Sequence, residues 1–127
     1  MKCILIMGSE SDKDFAKKIT DKLDELNVEH IEHIASAHKE AKKALEILNS
    51  YKNEQVIYVT IAGRSNALSG FVAGNSSKPT FACPPFSGKD DMTVNINSTL
   101  QMPSNVPVMT ILDPKNCALA VKRIMDL

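Results

Sequence analysis

Apolar positions along this chain fall into two alternating kinds of run. Short continuous stretches at 3–7, 56–61, 79–83 and 106–112 have the composition of strands buried on both faces, and a weaker one spans 28–35. Between them apolar residues recur at helical spacing: Phe15, Ile19, Leu23 and Leu26, then Ala41, Ala44, Leu45 and Leu48. The same spacing returns at Ala67, Leu68, Phe71 and Val72, and near the end at Ala120, Val121, Ile124 and Met125 within a helix expected over 116–126. Met92, Ile96 and Leu100 also fall at helical spacing and predict a helix there, although Val94 and Ile96 alternate as in a strand. Strands regularly interleaved with helices predict a parallel sheet covered on both sides. Right-handed crossovers make it a doubly wound, flavodoxin-like three-layer α/β/α sandwich with five parallel strands, one domain over 1–127.

In such folds ligands sit beyond the carboxyl ends of the strands, so the loops there carry the chemistry. After the first strand comes Gly8-Ser9-Glu10-Ser11-Asp12. Its serine hydroxyls lie beside the positive end of a helix dipole and suit a phosphate, although Ser11 or Asp12 would equally serve as a plain helix cap. The loop has neither the spacing of a P-loop nor that of a dinucleotide fold, and a nucleoside monophosphate suits it better than a triphosphate. After the second strand stand Ser36-Ala37-His38-Lys39. His38 shares the layer of the loops, whereas His30 and His33 lie within the strand on opposite faces, a poor metal pair expected to face solvent. After the third strand comes Ala62-Gly63-Arg64-Ser65-Asn66, with Ser65 or Asn66 as the expected cap of the next helix. Pro84-Pro85 halts the fourth strand, and residues 86–91, polar and containing Gly88, form a candidate lid.

Composition removes whole classes of function. Lysine plus arginine balances aspartate plus glutamate, 15 against 15, so the chain lacks the electrostatic footprint of a nucleic-acid or acidic-membrane binder. No apolar run approaches the ~20 residues of a membrane span. The opening residues turn polar too soon for a secretory leader. Three cysteines, with no C-x-x-C pair, fit a reducing cytoplasm better than a disulfide framework. A phosphorelay receiver needs acidic residues where Gly8-Ser9 and Ala62-Gly63 stand. A flavodoxin-type electron carrier needs aromatic residues around a flavin, and the chain has no tryptophan and two tyrosines, neither in a candidate loop. A plain nucleotide-binding module remains open.

Four segments together narrow the choice: Met7-Gly8-Ser9-Glu10-Ser11-Asp12, Ser36-Ala37-His38-Lys39, Ala62-Gly63-Arg64-Ser65-Asn66 and Gln101-Met102-Pro103. In order and spacing they resemble the signature segments of the PurE-type aminoimidazole ribonucleotide (AIR) carboxylase family of purine biosynthesis, over essentially the whole chain. Class I members are mutases that move a carboxyl group from the exocyclic amine of the N-carboxy nucleotide to the ring. Their third segment carries a second histidine, absent here, and their last helix is longer. The Ala-Gly-Arg-Ser-Asn run and the lysine after His38 are similar to class II, whose members use carbon dioxide directly. The resemblance implies reversible carboxylation of AIR without ATP, biotin or any other cofactor. It implies His38 as the proton-transfer residue, and Ser9, Ser36 and Lys39 at the phosphate, with Gly8 and Ser11 in the same cradle. Asp12 would take the ribose hydroxyls, and Gly63, Arg64, Ser65 and Asn66 the carbon dioxide side. Arg64 stands equally well as a carboxylate partner or as a subunit-interface salt bridge. The family implies a homo-oligomer, an octamer or tetramer, with small-molecule substrates, no metal, no nucleic acid and no membrane. The mutase activity and the non-catalytic module are the alternatives.

Overall fold

The computed structural model describes residues 1–127. Strands β1 (Lys2–Met7), β2 (His30–Ile34), β3 (Val56–Ile61), β4 (Thr80–Ala82) and β5 (Met109–Thr110) alternate with helices. The helices are α1 (Lys13–Glu25), α2 (Ala41–Ser50), α3 (Leu68–Asn75), α4 (Lys89–Leu100) and α5 (Pro114–Met125). The sheet runs β2-β1-β3-β4-β5 with every pairing parallel, the expected doubly wound order. Its direction of winding reverses between β1 and β3, which opens a crevice above their carboxyl ends.

Period-two alternation divides the two central strands between two cores. Cys3, Leu5 and Met7 of β1 and Ile57, Val59 and Ile61 of β3 join Ile19 and Leu23 of α1 and Cys117 and Val121 of α5. Ile4, Ile6, Val56 and Tyr58 face the other way, against Ala44, Ile47 and Leu48 of α2 and Leu68 and Val72 of α3. Both strands lack a solvent face, so a continuous apolar run is what they require. The three cysteines are free and buried in the first core.

Several local expectations shift for identifiable reasons. The apolar stripe of α2 is Ala44, Ile47, Leu48 and the following Tyr51, rotated so that Leu45 is 40% exposed and Ala41 lies outside the core. The strand expected over 106–112 pairs only at Met109–Thr110, because Pro107 has no N–H for the ladder at one end and the partner β4 stops at Ala82 at the other. The last helix starts earlier, with Pro114 in its first turn and the Asp113 carboxylate accepting from Asn116 N at 3.0 Å. His30 and His33 are not free solvent-facing side chains. His30 Nε2 lies 2.7 Å from Asp24 Oδ1, and His33 Nε2 lies 2.7 Å from the Tyr51 hydroxyl. Helix α1 closes with Asn27 at φ 57°. The Val28 N–H reaches back to Leu23 O at 2.9 Å, a left-handed cap that turns the chain into β2.

Candidate active site

The loops after β1, β2, β3 and β4 meet above the crevice and enclose a cleft of about 450 Å³. Their order across it follows the sheet: the β2 and β1 loops form one end, the β3 and β4 loops the other.

At the first end, the Ser9 hydroxyl accepts from Ser11 N at 3.2 Å and lies 3.0 Å from Ser11 Oγ. Ser9 thus caps the short 3-10 turn Glu10–Asp12 that precedes α1. Asp12 heads α1 without making a side-chain cap bond, which leaves its carboxylate to the cleft. Burial raises the Asp12 carboxyl above its ordinary range, against a smaller opposing effect of the Ser9 N–H. After β2 the chain makes a tight turn in which Ser36 Oγ accepts from Lys39 N at 3.1 Å and Ser36 O accepts from Glu40 N at 2.8 Å. That turn sets His38 and Lys39 at the surface, both exposed and both lining the cleft.

At the other end Gly63, Arg64 and Ser65 line the wall. Arg64 and Lys39 enter none of the seven ion pairs, so both cations are free for a ligand. Asn66 differs from the expectation of a substrate contact. It is 4% exposed and lies behind the wall. Its Nδ2 donates to Thr99 Oγ1 at 3.1 Å, its Oδ1 accepts from Ser69 N at 3.2 Å, and its own N–H donates to Ser98 Oγ at 2.8 Å. Asn66 therefore caps α3 from within, the capping role expected of Ser65 or Asn66, and ties the β3 loop to the end of α4. The Gln101-Met102-Pro103 segment is likewise not in the lining: Met102 Sδ packs on α3, 3.0 Å from where a Cβ on Gly70 would stand.

Ten of the eleven expected residues thus share one cleft: Gly8, Ser9, Ser11, Asp12, Ser36, His38, Lys39, Gly63, Arg64 and Ser65. The cleft also takes Pro85 and Ser87 from the β4–α4 connection and Asp91 from the first turn of α4; Ser87 and Asp91 fall in the segment expected as a lid, but none of the three was expected as a site residue. Asp91 Oδ2 accepts from Ser87 N at 2.9 Å and from Ser87 Oγ at 3.2 Å, while Oδ1 accepts from Asn95 Nδ2 at 2.6 Å. The Ser87 N–H above all, with Asn95, the Ser87 hydroxyl and the Arg64 guanidinium, holds the Asp91 carboxyl below its usual range. The signal was present: an acidic first helical turn after Ser87-Gly88 is an N-terminal capping pattern. No group of His, Cys, Asp and Glu side chains is arranged to hold a metal ion. No helix is long and apolar enough to cross a membrane.

Known proteins resemble this chain over nearly its whole length. The family model described as AIR carboxylase matches residues 2–127. The phosphoribosylaminoimidazole carboxylase of Archaeoglobus fulgidus is 50% identical over 127 residues, spanning 100% of this chain and 70% of that protein. That of Treponema denticola is 44% identical over 130 residues, spanning 98% and 79%. The chain also matches, at 39% identity, 29% of the length of a probable multifunctional protein of Caenorhabditis elegans. The crystal structure of Treponema denticola PurE superposes with a TM-score of 0.92 at 42% identity, over 98% of this chain and 79% of that one. With a match that runs almost end to end and a cleft lined by three of the four segments that suggested it, the chain belongs to the AIR carboxylase family.

Proposed function

We propose that this chain carboxylates AIR reversibly with carbon dioxide, without ATP or biotin, as one catalytic domain over 1–127. The observation that carries the reading is the cleft itself, in which two unpaired cations at opposite ends flank His38, the one histidine of the lining. AIR is an enamine whose ring carbon is already nucleophilic, so the protein has no carbanion to generate. Ser9, Ser36 and Lys39 hold the phosphate, with Gly8 and Ser11 completing the cradle, and Asp12 accepts from the ribose hydroxyls. That grip points the base toward Gly63, Arg64 and Ser65, where carbon dioxide is received. The ring carbon's electron pair attacks the carbon of carbon dioxide, one C–O π pair moves onto oxygen, and a carboxylate forms. Arg64 and the backbone N–H groups of the β3 loop stabilise that negative charge. His38 then takes the ring proton, the C–H pair returns to the ring, and the imidazolium passes that proton to solvent as the carboxylate product leaves. In reverse the imidazolium returns that proton to the ring carbon. Imidazole suits transfer in both directions near neutral pH. Much of the acceleration comes from holding both reactants together.

Direct use of carbon dioxide rather than the N-carboxy isomer is favoured by the third segment. His30 and His33 are committed to Asp24 and Tyr51, so no second histidine serves the carboxylate end. Purified protein given AIR and bicarbonate-derived carbon dioxide without ATP should form the carboxylated nucleotide. Turnover of the N-carboxy isomer alone would establish the mutase instead. A homo-oligomer in the cytoplasm is part of the proposal. It is supported by the shallow seating of α4, whose Val94 and Leu100 are 76% and 57% exposed, and by three buried cysteines that form no disulfide.

A further inference from the structure

The β4–α4 connection brings to the cleft a serine–carboxylate pair that the mechanism above does not use. We propose that Ser87, polarised by Asp91, receives the exocyclic amine of the substrate and offsets the positive charge that grows on it during carbon–carbon bond formation. The inference rests on the carboxylation reading.

The sheet order settles where the pair stands. The phosphate cradle belongs to the β1 and β2 loops, whereas Ser87 lies in the loop after β4 and Asp91 in the first turn of α4 that follows it, two strands beyond β1. A nucleotide anchored at the cradle therefore directs its heterocycle, not its phosphate, toward them. Hydrogen-bond accounting then fixes what they can recognise. The Ser87 hydroxyl proton is directed at Asp91 Oδ2, 3.2 Å away, so its oxygen offers the cleft lone pairs only. Such a group accepts and does not donate. An amine is the donor on this substrate.

The chemistry asks for the same polarity. As the ring carbon bonds to carbon dioxide, the amine lone pair shifts into a C=N bond, and the nitrogen becomes positive while the new carboxylate becomes negative. The intermediate is a zwitterion. This end of the cleft carries one charge of each sign, Asp91 behind Ser87 and Arg64 on the facing loop, already in place before reaction. Asp91 acts through Ser87 and is a positioning residue; Ser87 is the group in contact.

A purely structural role is the competing account, since Asp91 also accepts from Ser87 N at 2.9 Å and so caps α4. Ser87→Ala separates the two, because it keeps that backbone bond and removes only the hydroxyl. Calorimetry with AIR and with its amine-free analogue, imidazole ribonucleotide, reads amine recognition without turnover. The wild type should prefer the amine-bearing nucleotide about tenfold. Ser87→Ala should bring the ratio near one by weakening AIR about tenfold, so that KM rises by about that factor, and should lower kcat about tenfold besides, with the melting temperature within about 2 °C. Asp91→Asn should act in the same direction, and the double variant should be no worse than the poorer single. An unchanged ratio with kcat within twofold in Ser87→Ala, or a loss confined to melting temperature, overturns the proposal. A wild type that keeps the amine preference yet never carboxylates AIR would overturn the carboxylation reading instead.

Discussion

Replacing Asn66 by alanine tests whether the wall of the cleft is held from behind. Three bonds converge on this residue, and the substitution removes the two made by its side chain. Loss of the cap on Ser69 N should cost about 1 kcal/mol. Thr99, 1% exposed, loses the donor to its hydroxyl oxygen, and an unsatisfied buried polar atom costs about 1–3 kcal/mol. The sum is about 2–4 kcal/mol, a large share of the stability of a single domain. Urea unfolding at fixed protein concentration is the assay, and with a slope of about 1–3 kcal/mol per molar the midpoint should fall by roughly 1–2 M. Thr99→Val supplies the control. With both partners gone nothing is left unsatisfied, so Asn66→Ala with Thr99→Val should be less damaging than the two single losses added together. A midpoint within 0.3 M of wild type (a loss of about 0.5 kcal/mol) joined to a tenfold rise in KM would refute the reasoning. That result would make Asn66 a ligand contact rather than an anchor.

Further outcomes follow from the site and the cores. His38→Asn should retain nucleotide affinity within a few-fold while turnover falls by at least about a hundredfold, measured by calorimetry beside a carboxylation assay. Asp12→Asn should weaken nucleotide binding about tenfold yet stabilise the empty protein at neutral pH, because an ionised carboxylate is no longer held in a partly buried place. The sign runs with the raised value: between 3.8 and that value the folded state holds its proton more tightly, so wild-type stability should gain as pH falls through this window, and the variant should lack the gain. For His33 burial first and Lys43 second lower the pKa below 6.5. The unfolded chain therefore takes up the proton first, and stability should decline as pH drops from 6.5 toward the lowered value, a slope that His33→Gln should remove. Cys3, Cys83 and Cys117 are fully buried, and desolvation pushes the Cys3 thiol up. An aromatic disulfide reagent should therefore label none of them in the native state and all three in urea.

Legibility from sequence tracked how much each segment depended on its own residues. Strand β3 was readable to its ends because a strand buried on both faces needs an unbroken apolar run, and 56–61 is one. The cleft was readable because its cradle and its histidine sit at strand ends, where the fold class already says ligands bind. Asn66 could not be placed so easily. A loop asparagine suits a ligand or a helix equally, and only the partner at position 99, far away in sequence, decides it. The stripe of α2 was misjudged because Leu45 and Ile47, two positions apart, are equally apolar, and the sheet below chooses between them. Ser87 and Asp91 fell in a segment read only as a polar candidate lid, because nothing local says which side chains of a capped helix end face the cleft.

Helix α4 is joined to the rest of the protein very unevenly. Of its twelve residues only Thr99 is buried, and its firm attachment is the pair of bonds that Asn66 donates to the Ser98 and Thr99 hydroxyls. In the isolated chain its amides should therefore exchange with deuterium by local opening, while those of β1 and β3 wait for global unfolding. The free end of this helix is the one that carries Asp91, so the part of the cleft nearest the amine sits on the least protected element. Assembly of several copies over Val94 and Leu100 would slow exchange there first, giving a residue-level record of subunit association that sedimentation alone does not provide.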